Sequence, residues 1–127
     1  MTKTCPCDTG KPYDACCGRF HAGRRVPTAV ALMRSRYSAF VLHLDDYLRE
    51  TWHPDTRPAD LSTDDTVWLG LTIEDTVDGK AWDQEGIVEF TARYEGGELR
   101  ERSHFVFDGR WLYVSGQPGA PRAQMVE

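Results

Sequence analysis

Apolar residues at Met33, Tyr37, Phe40, Val41 and Leu44 recur at intervals of three and four, which places them along one stripe of an α-helix. Thr28 stands just ahead of this run, and a threonine hydroxyl there can accept a hydrogen bond from an unpaired amide of the first turn. The pattern predicts one long amphipathic helix. Asp45 or Asp46 can cap a second, shorter helix through Tyr47, Leu48 and Thr51. His53-Pro54 ends it, because the residue before a proline is driven out of the α region. After the polar loop Ser62-Thr63-Asp64-Asp65 the period changes to two.

Val67, Leu69, Leu71 and Ile73 alternate with Trp68, Gly70 and Thr72, which reads as a strand with a bulge at Gly70. Three more strands are expected over 87–95, 98–107 and 110–115, joined by two-residue turns of the primed types at Gly96-Gly97 and Asp108-Gly109. These turns predict a register. With Glu95 opposite Glu98, Val88, Phe90, Ala92 and Tyr94 share a face with Leu99, Glu101, Ser103, Phe105 and Phe107, joined by Leu112 and Val114. The opposite face pairs Arg93 with Arg100, Thr91 with Arg102 and Glu89 with His104, and groups Val106, Trp111 and Tyr113 into an apolar patch. Helices first and an antiparallel meander afterwards predict an α+β domain in which a curved sheet wraps the long helix.

Composition limits the size of that domain. A chain of 127 residues with 40% hydrophobic and 11% aromatic content can build one core but not two large ones. Its mean hydropathy is −0.53, yet four Trp, five Tyr and five Phe exceed what a disordered chain carries. No apolar run approaches the roughly 20 residues that cross a bilayer, and the start Met-Thr-Lys-Thr-Cys-Pro-Cys lacks the features of a signal peptide. A soluble, cytoplasmic protein is expected. The net charge of −5 argues against a surface that coats nucleic acid. The charge is uneven, however: Lys3, Lys11, Arg19, Arg24 and Arg25 outweigh Asp8 and Asp14 in residues 1–25, a net of +3 that leaves −8 on the remainder.

All four cysteines fall in one short run, Cys5-Pro-Cys7 followed after eight residues by Cys16-Cys17. In a cytosolic chain thiols stay reduced, so such clustering points to a metal site before a disulfide framework. Four thiolates complete a tetrahedral zinc site and leave no position for a reacting water, so the zinc would be structural. Asp8-Thr9-Gly10 and Lys11-Pro12 supply the reversal that returns the second pair to the first. A redox pair or unliganded thiols are the alternatives, although a bond between the adjacent Cys16 and Cys17 would be strained.

The run from Cys5 through Cys16-Cys17-Gly18 resembles the SEC-C motif, with Thr9 where the motif usually has Ser and Cys17 where one form has His. With Gly18-Arg-Phe-His21, Leu32-Met-Arg-Ser-Arg-Tyr-Ser-Ala-Phe40, Tyr47-Leu48 and Thr51-Trp-His-Pro54, nearly the whole chain is similar to the YchJ-like bacterial family. The resemblance implies a SEC-C-like zinc motif and linker over residues 1–25, then a cone-shaped nuclear transport factor 2-like domain over 26–127. That fold serves isomerases and dehydratases as well as association modules, so the site must decide between them.

Glu101 is the sharpest chemical clue in the body, since a carboxylate on an apolar face needs a partner or a shifted pKa. Arg34 or Arg36 can supply one, as a buried ion pair or beside a general base. Arg36, His53, Glu101 and Ser103 are the candidate cavity residues. Ser103 lacks a nucleophile elbow, and a histidine in the position of His53 commonly only bonds the backbone. Lys11, Arg19, Arg24 and Arg25 are the candidate partner-binding residues. The favoured expectation is an adaptor that presents the basic zinc knuckle to a protein or ribonucleoprotein. The alternatives are an isomerase or hydratase using Glu101 and His53, and a thiol-based zinc or redox sensor. The patch of Val106, Trp111 and Tyr113 predicts a homodimer through the sheet or a surface covered by the knuckle.

Overall fold

The computed structural model describes residues 4–118. Lys3, counted above with the basic head, lies outside them. The N-terminal segment turns back on itself, with Cys5 N donating to Lys11 O at 2.8 Å and Thr4 bridged to Pro12. Asp8 and Gly10 take positive φ in this reversal. One turn of 3-10 helix at Tyr13–Ala15 leads into α1 (Cys17–His21), α2 (Ala29–Leu42) and α3 (Asp45–Glu50). Four strands follow: β1 (Trp68–Asp78), β2 (Glu85–Tyr94), β3 (Gly97–Phe107) and β4 (Trp111–Pro118). They form an antiparallel meander in the order β1-β2-β3-β4. This is the α+β architecture that the change of period predicts.

The expected cap is present, since Thr28 Oγ1 accepts from Ala31 N at 3.1 Å. The helix it starts is buried on more than one stripe: Leu32, Met33 and Tyr37 are inside, and so are Ser35, Arg36, Ser38 and Ala39. The reason is that α2 has two partners. The sheet packs on one side of it, and the cysteine segment packs on another, so Cys5, Cys7, Cys16 and Cys17 join one core with Leu32, Met33, Tyr37, Leu71, Val88, Phe90, Phe105 and Trp111. Arg34 Nη1 donates to Cys7 O at 2.8 Å, and Asp8 Oδ2 accepts from Leu71 N at 2.9 Å. These bonds tie the reversal to α2 and to β1.

Three irregularities depart from the expected register, and two of them change which side chains face α2. In β1 the register shifts between Trp68 and Gly70, so the predicted bulge exists. It ejects Leu69, which is 61% exposed, and turns Trp68 inward against Tyr37, Phe40 and Tyr94. The β2–β3 turn is Glu95-Gly96, not Gly96-Gly97, with Tyr94 opposite Gly97. Gly96 holds φ at 105°, the conformation a type II turn requires at its second central residue. Pairing therefore moves by two residues and keeps both faces, while exchanging partners: Arg93 faces Glu98, Thr91 faces Arg100 and Glu89 faces Arg102. The former like-charge pair of arginines disappears.

The β3–β4 connection has the larger consequence. It spans three residues, Asp108 to Arg110, so Phe107 pairs with Trp111 and Phe105 with Tyr113. A shift of one residue sends every side chain to the other face. Trp111 is 2% exposed, and its Nε1 donates to Pro27 O at 3.2 Å. The expected outer patch of Val106, Trp111 and Tyr113 is therefore absent, and the dimer surface drawn on it goes with it. A second shift between His104 and Phe105 puts His104 opposite Ser115, which restores the expected alternation only at the end of β4.

Candidate functional site

The first candidate site is the cysteine cluster. The four Sγ atoms lie within 4.8 Å of one another, all in buried residues. Four sulfurs at roughly 2.3 Å from one zinc would sit about 3.8 Å apart, and Cys7 Sγ lies 3.5 Å from Cys16 Sγ. The donor set and its spacing therefore fit a tetrahedral thiolate-bound metal. Two hydroxyls surround the sulfurs. Thr9 Oγ1 is 3.2 Å from Cys16 Sγ and 3.6 Å from Cys7 Sγ, and Ser38 Oγ on α2 is 3.5 Å from Cys5 Sγ. Such groups orient ligands and stabilise thiolate charge. The Cys7 thiol is held far below its ordinary value, first by its hydrogen bond with Cys17. The same bond, with burial, pushes Cys17 up.

His21 fastens this segment to α2. Its Nε2 must donate to Ser35 O at 2.9 Å, which leaves Nδ1 to accept from Tyr13 Oη at 2.6 Å. Burial holds its pKa below the ordinary value of 6.5, which favours the neutral ring with Nδ1 as acceptor.

The second candidate site is a cavity of about 260 Å³ between α2 and the sheet. Met33, Tyr37, Phe40, Trp52, Trp68 and Phe90 give it an apolar wall, and Arg36, Glu101, Ser103 and Tyr113 give it polar groups. Arg36 is 4% exposed. Its Nη1 donates to Leu48 O at 3.0 Å and to Thr51 Oγ1 at 2.7 Å. The guanidinium carbon lies 4.6 Å from the Tyr113 ring centre and 5.1 Å from that of Trp52. Among the described residues no carboxylate reaches it within 4.0 Å, and burial pushes its pKa down to about 10.

Glu101 is bonded elsewhere. Ser103 Oγ donates to its Oε2 at 2.7 Å and Tyr113 Oη to the same atom at 3.3 Å. Among the described residues both hydrogen bonds of the carboxylate go to Oε2, so Oε1 is left for another donor. The Tyr113 hydroxyl is raised, first by burial and then by the facing Glu101. Gly116 leaves room for the Glu101 carboxylate, which a side chain at that position would force to move.

Of the four residues expected in a cavity, Arg36, Glu101 and Ser103 meet there. His53 is not among the lining residues: its Nδ1 accepts from Asp55 N at 3.1 Å, and its own amide donates to Tyr113 O at 2.8 Å. It closes a turn against β4. The anticipated ion pair between Glu101 and Arg34 or Arg36 is not formed, because Arg34 is used on Cys7 O and Arg36 on α3. Sequence reasoning missed Trp68 and Tyr113, which the bulge in β1 and the three-residue β3–β4 loop turn inward. Trp52 arrives through its bridge to Tyr113. Of the basic residues, Arg19 donates to Cys16 O at 3.0 Å and Arg25 to Gly109 O. Lys11 is exposed.

Comparison with known proteins agrees with this architecture. Residues 28–116 match the family described as YchJ, middle NTF2-like domain. The chain belongs to the YchJ-like family. Residues 1–19 match the SEC-C motif, whose cysteines are those clustered here. A UPF0225 protein of Streptomyces coelicolor is 53% identical over 119 residues, covering 91% of this chain and 96% of its own. The YchJ-like chain also resembles two solved structures of SEC-C motif containing proteins. One, from Rhodopseudomonas palustris, has a TM-score of 0.78 at 33% identity, covering 93% of this chain and all of its own. The other, from Psychrobacter arcticus, has a TM-score of 0.75 at 27% identity, with 94% and 84% covered. No helix among the described residues is long and apolar enough to cross a membrane.

Proposed function

We propose that the chain is a zinc-clamped small-molecule-binding protein. In this reading Cys5, Cys7, Cys16 and Cys17 hold a structural zinc that fixes the N-terminal segment to α2. The cavity on the other side of α2 binds a compact ligand with an acidic end, an apolar body and a hydroxyl. The observation that carries the reading is Arg36, a buried cation at the wall of an aromatic cavity with no carboxylate within 4.0 Å among the described residues, Glu101 acting on it only from a longer range. Keeping a guanidinium there is costly unless its charge is used. A ligand carboxylate supplies the missing partner, and its hydroxyl donates to the open Oε1 of Glu101.

An adaptor role through Lys11, Arg19, Arg24 and Arg25, for a protein or a ribonucleoprotein, draws on the net charge of the head. It has less support, because Arg19 already bonds a carbonyl of its own segment and neither it nor Lys11 lines a common concavity with Arg24 and Arg25. Thiol sensing is served poorly by sulfurs this buried, since sensor cysteines are accessible to oxidant.

The four tryptophans make a direct test. Trp52 and Trp68 line the cavity, whereas Trp82 and Trp111 do not. Titrating the isotope-labelled, zinc-loaded chain with para-hydroxybenzoate should shift the indole resonances of Trp52 and Trp68 saturably and leave that of Trp82 in place. Uniform small shifts, or none, would refute the cavity reading.

A further inference from the structure

A second concavity, sharing no lining residue with the first, lies where the linker after α1 meets α3 and the start of β4. Its volume is about 320 Å³, and Phe20, Val26, Tyr47 and Trp111 form its apolar floor. Three arginines converge on it, Arg24, Arg25 and Arg110, against one carboxylate, Glu50.

We propose that this groove is a binding site for a phosphate dianion, free or carried on a small organic body. The charge balance is the first argument. Three arginines and one glutamate among its lining residues carry a net formal charge of +2, in a chain whose net charge is −5. Among the described residues the only internal ion pair is loose, with Arg110 Nη2 at 3.9 Å from Glu50 Oε1 and both side chains about half exposed. Arg25 is bonded to Gly109 O, which positions its guanidinium without neutralising it. Among the described residues the Arg24 side chain has no partner.

Preorganisation is the second argument. Gly23 N donates to Phe20 O and Arg24 N to Arg19 O, each at 3.0 Å, so the backbone that carries Arg24 is anchored at the end of α1. Gly23 takes a φ of 114°, which turns the chain sharply there. Arg110 is held in the tight β3–β4 loop, where Asp108 N donates to Arg110 O at 2.9 Å. Guanidinium groups match phosphate oxygens in paired hydrogen bonds, and a buried aromatic floor beneath them lowers the local dielectric and strengthens the pairing. The groove sits at the lower end of the roughly 300–1,000 Å³ range of small-molecule sites. It therefore has room for an organic body beside the phosphate.

The site also lies beyond the reach of sequence inspection. Arg24 and Arg25 stand out in the head, but Arg110 joins them only because the β3–β4 loop has three residues and buries Trp111. The proposal is independent of the cavity reading, and different tryptophans report on the two.

The test titrates the full, zinc-loaded chain separately with inorganic phosphate and with phenyl phosphate, following the Trp111 indole and the amides of residues 23–26. At least one probe should shift them saturably, with a Kd below about 1 mM, while Trp52 and Trp68 stay in place. Tighter binding of phenyl phosphate identifies an organic monoester as the source, and equal binding identifies the bare anion. Arg24→Ala and Arg110→Ala, both at exposed positions, should each weaken binding about tenfold or more, as loss of a charge-assisted hydrogen bond does. Affinity should also fall as salt is raised. No saturable shift with either probe overturns the proposal, and so does binding that both variants retain in full.

Discussion

Replacing Arg36 with Met separates a ligand-binding arginine from a structural one. Burial pushes its pKa from 12.5 down to about 10, which corresponds to roughly 3 kcal/mol disfavouring the cation in the fold. Methionine relieves that cost and fills much of the same volume. Against the relief stand the hydrogen bonds to Leu48 O and Thr51 Oγ1, about 1–1.5 kcal/mol each. Two contacts with aromatic rings add about 0.5–1 kcal/mol each. Leu48 O loses a donor as well, so the balance is a net destabilisation of about 1–2 kcal/mol. A domain with a typical stability of about 5–15 kcal/mol survives this. Ligand binding has no such compensation, because removing one partner of a buried charge pair costs about 2–5 kcal/mol, or roughly 30-fold to several thousand-fold in Kd. Urea unfolding and the para-hydroxybenzoate titration measure the two effects on one preparation. A loss of stability above about 4 kcal/mol, or an unchanged Kd, would refute the reasoning and leave Arg36 as an anchor between α2 and α3.

Trp111→Glu should abolish cooperative unfolding or lower stability by at least about 3–5 kcal/mol, since it buries a carboxylate where a large ring and an indole hydrogen bond were. An outward-facing Trp111 would instead leave stability unchanged in the same denaturation assay. Cys7→Ser should reduce zinc from one equivalent per chain to a small fraction by elemental analysis and lower the melting temperature of the whole chain, because the sulfurs share the main core; full zinc content in the variant would contradict the ligand set. His21 has its pKa held below 6.5 by burial, so below that pH the unfolded chain binds a proton that the folded chain resists. Its contribution is therefore full above about pH 6.5 and is lost as pH falls through the folded-state value, by at most about 1.4 kcal/mol per pH unit. His21→Gln should flatten that slope in unfolding measurements made at constant zinc occupancy.

Much of the fold is legible in local patterns. Thr28 announces α2, the change of period after Asp65 announces the sheet, and the spacing of Cys5, Cys7, Cys16 and Cys17 announces a metal-binding cluster before any coordinate is known. Glu101, Ser103 and Arg36 can be picked as cavity residues because polar groups amid apolar ones need a reason. Periodicity fails where one residue is added. The bulge beside Trp68 and the three-residue loop at Asp108 each invert a face, and both exchange an aromatic expected outside for one that lines a cavity or closes the core. Helix α2 hides its second interface in a different way. Ser35 and Ser38 lie off its apolar stripe, yet both are buried, Ser38 beside Cys5 of the distant N-terminal segment and Ser35 against Tyr47 of α3. The pairing of Arg24 with Arg110 spans the whole domain and leaves no local signal.

The cavity claim is tested most directly by electron density from crystals of the zinc-loaded chain grown with para-hydroxybenzoate. The ligand should lie between α2 and the sheet, its carboxylate paired with the Arg36 guanidinium and its hydroxyl donating to Glu101 Oε1, with the ring against Trp52 and Trp68. A cavity filled by water alone, or a ligand whose carboxylate avoids Arg36, would contradict it.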